Sequence, residues 1–229
     1  MKKILLILFS ILLFTDISIG QKDSNKKFKV DFSAGIGYPL LTGYEGEAFA
    51  LPGIHCDMTF IYKPKIHGGF ELYIGVTRNP VNTNSYATSR GMDDVSSAPY
   101  YTYETMFGYS YFSGSSKNLS WHIKFLIGLA TVKVPSLNET FVFNNVGKNY
   151  TYSSVTGSSL ALGASTGLKY QFSTHWGALF DLSYTTATLL FDPSVITFLG
   201  GGVDFKGDTM KYTTYLDLLQ GTLGLEYSF

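Results

Sequence analysis

A single cysteine, Cys56, stands among the 229 residues. No intramolecular disulfide is possible, so an exported chain of this size needs some other source of stability. Charge is also scarce: 17 acidic and 17 basic residues make up only 15% of the chain and cancel. Such a chain lacks the electrostatic footprint of a nucleic-acid binder. The four histidines (His55, His67, His122 and His175) show no close-spaced ligand pairing. Metal binding is therefore unsupported and no cofactor is indicated. The apolar run Ile4–Phe14, followed by Asp16, is about half of the roughly 20 residues that a membrane-spanning helix needs. No convincing helical period follows it, so helices are not expected.

Aromatic residues are abundant, with 17 Tyr and 18 Phe, and so is glycine, with 24. The N-terminus carries Lys2 and Lys3, then the apolar run, then Ser18-Ile19-Gly20. This is the order of a secretory signal over residues 1–20, cleaved before Gln21. Residues 21–27 form a short polar leader, and residues 28–229 are expected to form one domain.

That domain alternates with period two, segment after segment. Phe28, Val30, Phe32, Ala34, Ile36 and Tyr38 oppose Lys29, Asp31, Ser33, Gly35 and Gly37. Trp176, Ala178, Phe180, Leu182 and Tyr184 oppose Gly177, Leu179, Asp181 and Ser183. Eight such segments, most of about ten residues or fewer, predict an all-β, eight-stranded antiparallel up-and-down barrel. The connections alternate in length. Lys63–His67, Ser113–Leu119 and Phe172–His175 are short; Pro39–Gly53, Arg78–Thr102, Val134–Gly157 and Leu190–Lys211 are long. Long loops without their own structure are unusual in a compact soluble domain, but are expected at one end of an outer-membrane barrel.

A lipocalin-like barrel would turn the apolar face inward around a ligand; a membrane barrel turns it outward. The polar face decides between them. It carries Lys29, Asp31, Asp57, Glu71, Glu104, Lys124, Lys169, Asp181 and Glu226 among many Gly, Ser and Ala. Charges of both signs beside very small residues suit the narrow interior of eight strands, where side chains fill the space and pair. Lys29 and Glu226, on the first and last strands, are expected to meet there. The apolar face is almost free of charge. Phe28, Tyr62, Phe70, Tyr111, Trp121, Tyr170, Trp176, Tyr227 and Phe229 lie beside the short turns or the ends of the segments, as a girdle does at a water–lipid boundary. Asp217 breaks the rule, and belongs above the bilayer or at a bulge.

With these features the chain resembles the small eight-stranded outer-membrane barrels of Gram-negative bacteria, of the OmpX and OmpA-barrel type, and the broader outer-membrane β-barrel family that includes PorT-like proteins. The resemblance implies an outer-membrane location and a lipid-bilayer partner. It also implies contact with the barrel-assembly machinery during insertion, with Leu225, Tyr227 and Phe229 as the assembly signal. It implies no single activity. The reading is a monomer with a lumen plugged by side chains and a structural or surface-interaction role through its long loops. A lipid-modifying enzyme of the lipid A deacylase or acyltransferase kind, and a narrow porin-like pore, are the other classes.

Motifs for chemistry are thin, and no catalytic residue is assigned. Gly163-Ala-Ser165-Thr-Gly167 matches a nucleophile elbow, but that motif works at a strand-to-helix turn and here lies in mid-strand. Ser120 and His122 share a face, with Glu71 or Glu104 available to orient the imidazole; a triad needs all three within hydrogen-bond reach. Asp93-Asp94 is an acidic pair in a long loop. Two hairpins are expected above the membrane. Phe141, Phe143, Tyr150 and Tyr152 flank one, and Ile196, Phe198, Val203 and Phe205 flank the other. Their edges could receive an extracellular protein partner by strand addition.

Overall fold

The computed structural model describes residues 27–41, 50–65, 67–114, 118–143, 146–192, 195–200, 203–208 and 211–229. The expected signal and nearly all of the leader lie outside these residues. The elements run β1 (Phe28–Leu41), β2 (Gly53–Lys65), β3 (Gly68–Asn79), α1 (Thr83–Arg90), β4 (Asp94–Ser97), β5 (Tyr100–Gly114), β6 (Leu119–Val134), β7 (Leu137–Phe143), β8 (Val146–Tyr152), β9 (Val155–Gln171), β10 (Trp176–Phe191), β11 (Val195–Gly200), β12 (Val203–Asp208) and β13 (Tyr212–Ser228).

Eight of these strands close a barrel in the order β1-β13-β10-β9-β6-β5-β3-β2, every pair antiparallel, with β1 sealed against β13 from Lys29–Ser228 upward. The register fixes the geometry. Phe28 faces Tyr62, Tyr62 faces Phe70, and Phe70 faces Tyr109. The path continues through Phe125, Ala164, Tyr184 and Leu219, and returns to β1 at Tyr38. One circuit therefore climbs ten residues of β1. With strands about 4.8 Å apart and about 3.3 Å per residue, that stagger tilts them by roughly 41°. Each residue then advances about 2.5 Å along the barrel axis, and each step to the next strand along this path about 3 Å.

The barrel strands are 12 to 17 residues long, longer than the alternation predicts. At this tilt about ten residues cross an apolar band about 25 Å tall. The remainder of each strand projects beyond the band at the loop end, where the two faces differ less in polarity and the period fades.

Three of the long connections, Arg78–Thr102, Val134–Gly157 and Leu190–Lys211, carry secondary structure of their own among the described residues, and most of Pro39–Gly53 lies outside them. The β6–β9 and β10–β13 hairpins continue past the barrel as β7–β8 and β11–β12. With β4 these form a second sheet in the order β12-β11-β8-β7-β4. The expected hairpins are present, and they pair with each other through Ile196–Tyr152 to Leu199–Asn149. The expectation of no helix fails at α1. Asn82 caps its first turn by accepting a hydrogen bond from the Ser85 amide at 3.1 Å, and Gly91 ends it in the left-handed region (φ 65°).

Inside, the barrel has two storeys. The turn half is polar. The loop half holds an apolar cluster that includes Ala130, Val132, Ala161, Ala187, Leu189, Phe191, Leu216 and Leu218, with Val134, Val155 and Tyr212 packed against it. Phe191 and Tyr212 stack at 5.0 Å. The inward face is thus not polar throughout.

Candidate functional site

All nine charged residues expected inside the barrel face inward, and they form two groups. Near the turn end, Lys169 Nζ lies 2.6 Å from Asp31 Oδ2 and 2.8 Å from Glu226 Oε2. Lys29 holds the other oxygen of Glu226 at 2.7 Å, because the β1–β13 register pairs Lys29 with Ser228 and so makes Glu226 its diagonal neighbour on the inward face. Lys124 sits between Asp181 (3.5 Å) and Glu71 (3.7 Å). His122, on the strand beside Lys169, reaches across to Asp181. Phe112 lies under this group, with the Lys169 ammonium 5.4 Å from its ring centre.

Higher up, Asp57 and Glu104 belong to a second network built around His55. His55 meets Thr77 at 2.8 Å, Tyr73 at 3.1 Å and Asp57 at 3.3 Å. Ser33 donates to Asp57. Gln220 donates to Glu104 at 2.6 Å and accepts from Ser183. A cavity of about 20 Å³ lies by Tyr73, Met106, Leu126, Ser165 and Gln220, room for about one water. Asp31 Oδ1, both oxygens of Glu71, Glu104 Oε1 and His122 Nδ1 are buried without a protein hydrogen-bond partner among the described residues.

The groups weighed for nucleophilic chemistry fall in this lumen, and not as a relay. Asp181 orients His122, in place of Glu71 or Glu104. Ser165 donates to the same carboxylate at 3.4 Å and has no bond to the imidazole. Ser120 sits opposite Lys169 at the turn end. The inward parity of His55 and His122 was readable from the sequence; their partners were not, because these depend on the stagger of the barrel.

The outer wall is apolar. Phe32, Ile36, Phe60, Leu72, Phe107, Phe125, Leu160, Leu168, Phe180, Leu223 and Leu225 are all exposed. By the axial spacing above, the nine expected girdle residues fall within roughly 9 Å of one another along the axis, at the turn end. Phe28 packs on Tyr62 at 5.0 Å, Tyr111 on Trp121 at 6.2 Å, and Tyr227 on both Trp176 and Phe229 at 4.9 Å. The Phe229 amide donates to the Phe28 carbonyl at 3.0 Å. Asp217 lies opposite the register shift between Pro39 and Leu41, a bulge in β1, and accepts the Tyr184 hydroxyl.

Beyond the barrel, the second sheet has its own buried charge. Glu139 on β7 is 2% exposed and accepts the Tyr86 hydroxyl from α1 at 2.5 Å. The Arg90 guanidinium stands 5.4 Å over the Tyr86 ring. Burial, reinforced by the bond to Glu139, holds the Tyr86 phenol above its ordinary value; burial and the same carboxylate raise Tyr152. Asp93 does not stand free: its carboxylate accepts the Val142 amide at 2.6 Å.

No protein-family model matches the chain, and no curated protein matches it. Solved structures do. Ail, the attachment invasion locus protein of Yersinia pestis, superposes with a TM-score of 0.50 at 14% identity, over 90% of this chain and 100% of that one. Neisserial surface protein A gives 0.49 at 12% identity, over 88% and 97%. A major outer membrane protein from Thermus thermophilus gives 0.48 at 14% identity, over 88% and 99%. The Ail likeness speaks to the fold: an eight-stranded, closed antiparallel barrel of the outer-membrane kind.

Proposed function

We propose that this chain is an integral outer-membrane β-barrel of a Gram-negative bacterium, monomeric, with a non-conducting lumen. Its short turns face the periplasm, and its second sheet stands outside the cell as a surface for interaction. The observation that carries this reading is the closed barrel whose outer wall is apolar and ringed by aromatics at the turn end, a surface that only a bilayer covers. Two features support a plugged lumen: the ion-paired floor around Lys169 and the apolar cluster around Leu218 and Phe191 above it. Leu225 and Tyr227, on the strand that closes the barrel, and Phe229, the residue after it, are the proposed assembly signal.

The test is conductance. The refolded barrel, shown to be inserted by its heat-dependent gel shift, should give negligible current in planar bilayers. Steady openings with clear single-channel steps overturn the plugged lumen and favour the narrow pore.

A further inference from the structure

Above the turn-end girdle, the outward faces of the eight barrel strands carry only three charges among the described residues: Arg78, Lys133 and Asp217. Asp217 is taken up by Tyr184. The side chains of Arg78 and Lys133 are exposed and have no ion pair or hydrogen bond among the described residues. The barrel register sets them in one row: Arg78 faces Tyr101 on β5, Tyr101 faces Lys133 on β6, and Lys133 faces Thr156 on β9. Two strand spacings separate the bases, about 10 Å.

The rows beneath explain the position. One step down are Val76, Tyr103, Thr131 and Ser158, with Thr131 and Ser158 hydrogen-bonded at 2.8 Å. Tyr101 and Tyr103 stack at 6.3 Å. The next row is Ile74, Thr105, Leu129 and Leu160. Along the axis, Arg78 lies roughly 26 Å and Lys133 roughly 32 Å above Phe28, just past the end of a 25 Å apolar band. The other strands carry Tyr38, Thr188, Tyr215 and the occupied Asp217 near this level, and no base. The cations are therefore confined to one sector of the rim.

We infer that Arg78, Tyr101 and Lys133 form a site for the phosphate of an anionic lipid in the leaflet that meets the loop end. The inference rests on the membrane-barrel reading above. The Arg78 guanidinium matches two phosphate oxygens, the Lys133 ammonium supplies a second point charge, and the Tyr101 hydroxyl is a donor between them. The apolar wall beneath, from Ile74 to Leu160, receives the acyl chains.

The test uses the full barrel in nanodiscs of nine parts phosphatidylcholine to one part phosphatidylglycerol, with retained lipids counted by native mass spectrometry. The wild-type protein should retain phosphatidylglycerol in preference. A base at a membrane surface is worth about five-fold in such a preference, so Arg78→Gln with Lys133→Gln should lower it roughly twenty-five-fold. Lys206→Gln, which removes an exposed base from β12, should leave it unchanged, as should millimolar inorganic phosphate. Equal retention of both lipids by the wild type, or an unchanged preference in the double variant, overturns the site. So does a loss matched by Lys206→Gln, and so does displacement of the lipid by free phosphate. A chain that never inserts as a heat-modifiable barrel overturns the membrane reading itself, which separates that failure from failure of the site.

Discussion

Replacing Lys169 with methionine removes one ammonium from two buried carboxylates. The consequences for the two acids differ. Glu226 keeps Lys29 at 2.7 Å and the Ser228 hydroxyl at 3.5 Å. Asp31, only 1% exposed, loses its one protein donor among the described residues, where its other oxygen already lacks a partner. Breaking a buried pair from one side costs about 3–5 kcal/mol, because the remaining charge stays desolvated; a charge-assisted hydrogen bond alone accounts for about 1.5–3 kcal/mol of this. Most of the loss should therefore come from Asp31. The double variant Lys169→Met with Asp31→Leu should recover at least half of it, since an apolar pair of similar volume removes the stranded Asp31 carboxylate and leaves Glu226 its bond to Lys29. Urea titration of the barrel in vesicles, followed by the fluorescence of Trp121 and Trp176, measures both differences. A loss below about 1 kcal/mol for the single variant, or a double variant no more stable than the single one, would refute the assignment of Lys169 as the anchor of the lumen floor.

Four further outcomes follow from the same geometry. Gly167→Val should prevent barrel closure, since a Cβ at that position would lie 2.5 Å from the Asp181 carboxylate and 2.8 Å from His122; folded yield on an unheated gel reads it. Tyr86→Phe removes a hydrogen bond to a buried carboxylate, worth about 1.5–3 kcal/mol, and should make α1 more susceptible to trypsin at Arg90, with the barrel unaffected. Because the folded Tyr86 phenol titrates above its unfolded value of about 10, its contribution is intact below pH 10 and is lost as pH rises through the folded value. Cleavage at Arg90 should accordingly accelerate in the alkaline range and not in acid. Deleting Phe229 should lower the amount of heat-modifiable protein in outer-membrane fractions more than deleting a residue from 21–27; equal yields would remove the assembly role of the terminal aromatic.

The barrel was legible because two chemically unlike faces alternate along every strand. From Phe28 to Tyr38 the parity of each residue gives its side of the wall, and Asp217 announced a departure that proved to be a bulge. The longer strand ends were hidden, since beyond the apolar band residues such as Thr131, Lys133 and Thr156 make the outward face polar. Helix α1 was hidden for a different reason. It buries no residue, so it has no apolar stripe, although Asn82 and Gly91 stood at its ends as capping signals. The apolar upper storey was hidden because the charges of the lower half dominate the pattern of the inward face. Pairing across the lumen, as between Gln220 on β13 and Glu104 on β5, follows from a stagger of ten residues that no single strand encodes. The β8–β11 pairing is likewise a contact between hairpins, each of which is locally complete without it.

The central claim is that the apolar face of these strands meets lipid. It can be tested on β13 alone. Single spin labels placed from Thr222 to Tyr227, in the barrel inserted in vesicles, report contact with oxygen dissolved in the hydrocarbon. Accessibility should be high at 223, 225 and 227 and low at 222, 224 and 226, where the side chains face the lumen. The opposite phase, or exposure of the odd positions to a water-soluble relaxation agent, would contradict a membrane barrel and return the chain to the soluble, ligand-binding class.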